Sequence, residues 1–453
     1  MIRRSPRSFI LWLNTSTRLF DLCRGVMRQA AGGRLLALGA TAVLAACAGG
    51  SGTNLLGTPA TTQASAPAGG IVAETPIARR ESVKVAVLLP LSKPGRAGIV
   101  AKSLKQAGEL ALFEFDRPDV VLFTKDTKGT PEGARDAAME AVKAGAQLVI
   151  GPLFKESVRS ASVITRSANI PMVAFSSDAA VAGENVYLMS FLAGDDVPRI
   201  INFAAQRGKV RYAALVPKTP YGAIVEQRFR NSVAANGGEV VVVEQYPLDA
   251  NGMLEPVKRL RAAEEQAAAS GAPLDALLVP AGQQSMTTLS PLIPYFAIDT
   301  KRTQLLGTGD WDYPNVGAEK PLLGGWYPSP DPQGWREFSQ RYVKTYGKPP
   351  PRIASIGYDA VSLAISLARN GTGADRFSAA NLTRDSGFAG VDGLFRLRAN
   401  GTVERGLSVL EVQRFGPRVL DPAPRGFGVS PRYTAAGNTL SNTASNSLGG
   451  SLN

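Results

Sequence analysis

The side chains that usually do chemistry are sparse in this chain, and their pattern excludes more than it allows. There is no histidine among the 453 residues, so Ser-His-Asp and Cys-His relays, in which an imidazole must carry the proton, cannot be built, and nor can imidazole-ligated metal sites. Cysteine occurs twice, at Cys23 and Cys47. No serine stands three residues ahead of any lysine, which removes the Ser-x-x-Lys acylation signature. Gly307-Thr308-Gly309 has neither the other glycines of a dinucleotide fingerprint nor the lysine of a phosphate loop, and reads as a turn. Glu264-Glu265 lies in an alanine-rich helical stretch and reads as solvated surface. The residues predict a binding module rather than an enzyme, with no cofactor and no metal.

Cys47 is the exception, because its surroundings assign it a reaction. Arg34 precedes an apolar run from Leu35 to Ala46 that is too short to cross a bilayer, so residues 1–46 read as a signal peptide with a small-residue cleavage site. Leu44-Ala45-Ala46-Cys47 resembles the bacterial lipobox. That resemblance implies acylation of the Cys47 thiol, cleavage before it and acylation of the new amino group, and several chains together anchor where one would not. Ala48, in place of the aspartate that retains such proteins in the inner membrane, implies the periplasmic face of the outer membrane. Two starts fit: Met1 gives a long leader, and Met27 gives a compact one with Arg28 and Arg34 as its positive region. Either leaves a body with no cysteine beyond Cys47, which needs no disulfide.

Formal net charge is +13; seven arginines and Asp21 put +6 of it before Cys47 and leave +7 on the rest. No dense basic run is interleaved with aromatics, so nucleic acid is not an expected partner. Residues 47–82, rich in Gly, Ser, Thr, Ala and Pro, read as a flexible tether, and 421–453 as a disordered tail.

Between them, apolar runs alternate with amphipathic stretches. Val83–Leu89, Val120–Phe123, Leu148–Ile150, Pro171–Phe175, Tyr212–Val216, Val240–Val243 and Ala276–Val279 read as strands, with helices predicted over 99–115 and 131–144. Near-continuous Val/Ile/Leu strands between helices predict an α/β protein with two doubly wound parallel-sheet lobes.

Leu89-Pro90-Leu91-Ser92, Leu148-Val149-Ile150-Gly151-Pro152-Leu153, Ile170-Pro171-Met172-Val173, Pro220-Tyr221-Gly222 and Gly357-Tyr358-Asp359-Ala360 resemble, in order, the type I periplasmic binding proteins that include branched-chain amino acid receptors. The resemblance implies a three-crossing hinge, with one lobe from 83–193 and 323–387 and the other from 194–322 and 388–420. The return is expected at Gly324-Gly325-Trp326-Tyr327. In such a cleft Ser157 falls where a hydroxyl binds an amino acid carboxylate, and Ser176, Ser177 and Asp178 occupy the next loop. Tyr221 matches an aromatic that covers the ligand, Gln283 and Gln284 lie in another loop, and Asp310, beside Trp311, falls near the acid that pairs with an ammonium. Each has a plainer reading: Ser157 as a helix cap, Asp178 as a turn cap, Tyr221 as packing, and Asp310-Trp311 as a turn with a half-buried indole.

Lys125–Ala134, Leu305–Trp311 and Gly387–Phe395 further resemble the penicillin-binding protein activator lipoproteins. The helical-repeat domain that longer members carry has no counterpart here, since only the tether precedes the body. Two functions follow. The leading one is an envelope lipoprotein that docks on a peptidoglycan synthase, a penicillin-binding protein, and activates it. The other is a solute receptor of an ABC importer for amino acids or amides. Asp178 argues against the receptor, since a carboxylate beside a bound carboxylate repels it.

Overall fold

The computed structural model describes residues 82–115, 119–371 and 373–427. The expected signal peptide, Cys47, nearly all of its tether and positions 428–453 of the expected tail lie outside them. No described helix is long and apolar enough to cross a membrane.

The first lobe opens with β1 (Val83–Leu89), α1 (Arg96–Phe115), β2 (Val120–Asp126), α2 (Pro131–Lys143), β3 (Leu148–Ile150), α3 (Lys155–Ser167), β4 (Met172–Ala174) and β5 (Val186–Leu188). The strands form an all-parallel sheet in the order β2-β1-β3-β4-β5. Six of the seven β1 residues are buried, as a strand covered on both faces must be.

The second lobe follows with α4 (Val197–Gln206), β6 (Arg211–Pro217), α5 (Pro220–Ala235), β7 (Glu239–Tyr246), α6 (Leu254–Ala269), β8 (Ala276–Leu278), α7 (Gln283–Tyr295), β9 (Gln304–Leu306) and β10 (Trp326–Ser329). Along β6, Ala213 and Leu215 enter one apolar core while Tyr212, Ala214 and Val216 enter another on the opposite face. That alternation of buried with buried is the mark of a doubly covered sheet.

The chain then supplies α8 (Pro332–Tyr346), α9 (Ala354–Asn370), α10 (Ala379–Leu382), β11 (Phe388–Gly390), β12 (Gly393–Leu397), β13 (Val403–Arg405), β14 (Ser408–Glu411) and β15 (Arg418–Asp421). Helix α8 packs Phe338 and Tyr342 on Ala107 and Leu110 of α1, and α9 joins the first core through Ile356, Ala360 and Val361. β14 and β15 complete the second sheet, order β15-β14-β10-β9-β8-β6-β7, with antiparallel pairing between β10, β14 and β15. Three segments therefore cross between the lobes: 189–196, 330–331 and 406–407.

Three expected boundaries move. Trp326 and Tyr327 do not return to the first lobe: they lie in β10, where Trp326 pairs with Leu306 and Tyr327 is buried in the second core. Residues 388–405 do not belong to the second lobe either. Phe388 and Phe395 stack at 5.7 Å and, with Leu397 and Val403, fill the first core, so only β14 and β15 cross. The expected tail begins inside β15, where Asp421 pairs with Arg199 at 2.7 Å. Glu264 is buried rather than solvated, held by Arg261 at 2.7 Å and by the Thr303 hydroxyl at 3.0 Å.

The same local device starts α2 and α5. Thr130 and Thr219 accept the N–H of Gly133 and Gly222 at 3.0 and 3.1 Å, with proline as the first helical residue. A Cβ at Gly222 would stand 1.8 Å from the Pro217 carbonyl oxygen, so only glycine lets the helix start so close to its strand. This explains the Pro220-Tyr221-Gly222 motif by packing and also fixes the direction of Tyr221.

Candidate functional site

Both sheets are wound so that the order reverses beside their first strand, and ligand groups in such sheets come from the loops at the carboxyl ends. In the second lobe those loops follow β6, β7, β8 and β9, and they converge on five residues, Thr308 to Asp312. Tyr221 shares a hydrogen bond with the Thr308 hydroxyl at 3.1 Å. The Gly309 N–H donates to Asp196 Oδ2 at 2.5 Å, which ties the first crossing to the same turn. Trp311 donates its indole N–H to the Val279 carbonyl at 2.9 Å, and Asp312 meets Arg352 Nε at 3.3 Å.

Asp310, unlike Asp312, forms no ion pair among the described residues. It is exposed by surface area yet crowded by protein, a combination found on the wall of a concavity. Burial holds its carboxyl above the ordinary range, opposed by the bond from Tyr221. Burial also pushes Asp196 up to about 6, with the Gly309 N–H opposing and the charge of Asp310 adding to the rise. The Tyr221 phenol is raised by burial and then by both carboxylates, and Tyr246 is raised by burial, against the pull of the Ser285 side chain, and then by Asp310. Neither Asp196 nor Asp310 forms an ion pair among the described residues. Two carboxyls and two phenols without a cation make a wall that accepts a positive charge.

The first lobe offers different chemistry. Lys93 donates to the Gly129 carbonyl at 3.3 Å and lies 5.3 Å from the Phe154 ring. Ser177 is exposed beside Asp178, and Ser176 accepts the Asp178 N–H at 3.2 Å. Asp178 caps a short turn through the Ala180 N–H at 3.0 Å and pairs with Lys155 at 3.4 Å. The Ala180 bond comes first, and Lys155 after it, in holding that carboxyl below its ordinary value. A carboxylate so paired is a weaker objection to a bound anion than its sequence position implies.

The structure brings Tyr221 and Asp310 together, with Gly282, next to Gln283, facing Asp310: a Cβ there would stand 4.0 Å from the Asp310 Cβ. Gln283 and Gln284 are exposed at the start of α7. Two expected residues are elsewhere. Ser157 is 1% exposed and gives its hydroxyl to the Thr130 carbonyl at 3.3 Å; it does not cap α3, whose cap position is Phe154. Trp311 is fully enclosed in the second core, its ring so close to Gly307 and Gly325 that a Cβ on either would strike it. It shapes the turn and does not face the cleft. Asp196, Tyr246, Thr308 and Arg352 were not expected. The only signal for Asp196 was an acid pair just after Gly194, at the expected crossing.

A cavity of about 190 Å³ lies away from this wall, inside the first lobe between α1, α9 and the sheet, lined by Val87, Leu104, Leu122 and Val361 among others. Its lining also includes Thr124 and the mutually paired Lys105 and Glu109, so its one acid already has a cation. Among the described residues no group of three or more acids or cysteines could hold a metal ion.

The family model for periplasmic binding proteins matches residues 82–417. The chain belongs to that family. Solved structures agree with the fold. A Rhodospirillum rubrum protein described as a branched-chain amino acid ABC transporter superposes with a TM-score of 0.65 at 19% identity, covering 75% of this chain and 100% of that one. A Desulfitobacterium hafniense ABC transporter substrate-binding protein in complex with Leu gives 0.56 at 19%, covering 75% and 100%. A Rhodopseudomonas palustris solute-binding protein in complex with 3,4-dihydroxybenzoic acid gives 0.53 at 17%, covering 76% and 96%. At such identities the likeness is one of fold. No curated protein matches the chain. As a periplasmic binding protein, it has a type I α/β body of two parallel-sheet lobes, and its ligand chemistry has to be read from its own cleft.

Proposed function

We propose that this periplasmic binding protein captures a small solute carrying a protonated amine in the cleft between its lobes, as the receptor of an importer for amino acids or amides. One observation carries the reading: Asp310 and Asp196 stand together beside Tyr221 with no cation of the protein's own. A bound ammonium would relieve their mutual repulsion. Lys93 and Ser177 on the opposite lobe suit an anionic or amide end. The leucine-bound structural neighbour supports the solute class, and the pairing of Asp178 with Lys155 weakens the sequence argument against it. Thermal-shift and calorimetric screening with amino acids, their amides and simple amines tests the reading. Stabilisation by an amine-bearing solute, lost in Asp310→Asn, is expected, and a panel without any stabilising member would sink it.

A second reading, docking on and activating a peptidoglycan synthase from the periplasmic face of the outer membrane, is favoured by Arg352, whose own side chain joins the lobes through Asp312 and Asp392. It requires the anchor at Cys47. Fatty-acid labelling that persists in Cys47→Ser would remove the anchor, and a purified body that neither binds nor stimulates a cognate synthase would remove the reading.

A further inference from the structure

We infer that Arg352 is a latch between the lobes, holding them together through Asp312. Arg352 precedes α9 in the first lobe. Its Nη1 lies 2.7 Å from Asp392 Oδ1 and 3.2 Å from the Ser355 hydroxyl, and Asp392 is fully buried, its other oxygen accepting from Ser355 at 2.6 Å. Asp392 therefore needs the guanidinium, since a buried carboxylate without its partner is strongly unfavourable. The first-lobe half of the arrangement is permanent.

The other half is made to break. Arg352 Nε meets Asp312 Oδ2 of the second lobe at 3.3 Å, and both side chains are about one-third exposed, at 30% and 34%. The guanidinium also lies 4.7 Å from the Trp335 ring at the start of α8 and 5.8 Å from Phe191 in the first crossing. A partly solvated pair of this kind shifts an equilibrium about two- to fivefold, enough to bias the lobes and too little to lock them.

Asp312 ends the turn that carries Asp310, and that turn moves as one piece because Tyr221, Asp196 and Val279 each hold a member of it. The pivot is fixed separately. Arg405, ahead of the third crossing, donates to the Ser190 carbonyl of the first at 3.2 Å and lies 4.4 Å from Phe191. Arg199 donates to the Leu407 carbonyl at 2.8 Å. Rotation about these tied crossings changes the Arg352–Asp312 distance directly. The latch does not depend on the solute reading; only its coupling to the Asp310 wall rests on that reading.

The test uses solute-free protein with spin labels at Val163→Cys and Gln266→Cys, exposed positions on α3 and α6. Double electron–electron resonance then reports the distance between lobes. Asp312→Asn and Asp312→Lys are expected to move the distribution toward longer separations, and 1 M salt to do the same to the parent by screening the pair. Distributions of both variants that superimpose on the parent's overturn the latch, and so does a parent insensitive to salt. Since no solute is added, a failed solute screen leaves this result standing.

Discussion

The Asp196 carboxylate accepts the Gly309 N–H at 2.5 Å, joining residues 113 apart in sequence. Through that bond the first crossing between the lobes and the turn bearing Asp310 share one electrostatic environment, and the titration of Asp196 becomes a property of the cleft.

Solute affinity should therefore fall as pH drops below about 6, the value to which burial pushes Asp196. Below it the acid is neutral and no longer attracts an ammonium; a cationic solute lowers its pKa, so binding in that range releases protons. One coupled proton gives about tenfold in affinity per pH unit. In the free protein the sign is opposite for stability. The native state holds a proton that the unfolded chain loses near pH 4, so stability falls as pH rises from about 4 to 6. Calorimetry at pH 5 and 8 checks the affinity, and Asp196→Asn is expected to flatten both dependences.

Ser157→Ala should cost about 0.5–1.5 kcal/mol of stability and leave solute affinity unchanged, because its hydroxyl is spent on the Thr130 carbonyl inside the first lobe. Paired denaturant melts and binding isotherms separate the outcomes. A loss of affinity with unchanged stability would restore Ser157 to the cleft.

Trp311 gives the converse case, a residue expected at the ligand that acts through shape. Trp311→Ala removes a fully buried indole and leaves the Val279 carbonyl without its donor, so a loss of about 3–5 kcal/mol is expected. Gly307→Ala should be destabilising through the same ring, since its Cβ would come within 2.2 Å of it. Thermal unfolding of the two variants measures both.

What the sequence made legible follows from how each signal arises. β1, β6 and β7 were visible because continuous Val, Ala and Leu have one plain reading between helices. β10 was hidden, since Trp326-Tyr327-Pro328-Ser329 after two glycines looks like a connection, and only the neighbouring β9 and β14 make it a strand. Residues 388–405 fell to the wrong lobe because Phe388 and Phe395 do not say which of two apolar cores they fill. In the cleft, Tyr221 and Asp310 came from the resemblance to type I periplasmic binding proteins. Asp196 and Arg352 owe their roles to partners more than 100 and exactly 40 residues away, Gly309 and Asp312, which local pattern cannot reach.

Asp359, from the Gly-Tyr-Asp-Ala motif, sits in an environment that the motif did not reveal. It is fully buried on α9, accepts the Val391 N–H at 2.7 Å through Oδ1, and leaves Oδ2 without a hydrogen bond. Gly390 is what admits it, since a Cβ there would lie 2.5 Å from the carboxyl. Burial first, and the charge of Asp392 second, hold Asp359 well above the ordinary carboxylate range, against the pull of the Val391 N–H and Arg405. A raised carboxyl contributes its full stability below the unfolded value near pH 4 and loses it as pH rises through the folded value. Asp359→Asn keeps the acceptor for Val391 and removes the ionisation. It should raise stability at pH 8 by about 1–3 kcal/mol, the ordinary cost of a buried unsatisfied polar group, and change little at pH 4. Urea melts across that range decide it, because a variant less stable than the parent at pH 8 would mean that the ionised carboxylate is held by Arg405 and stabilises the hinge.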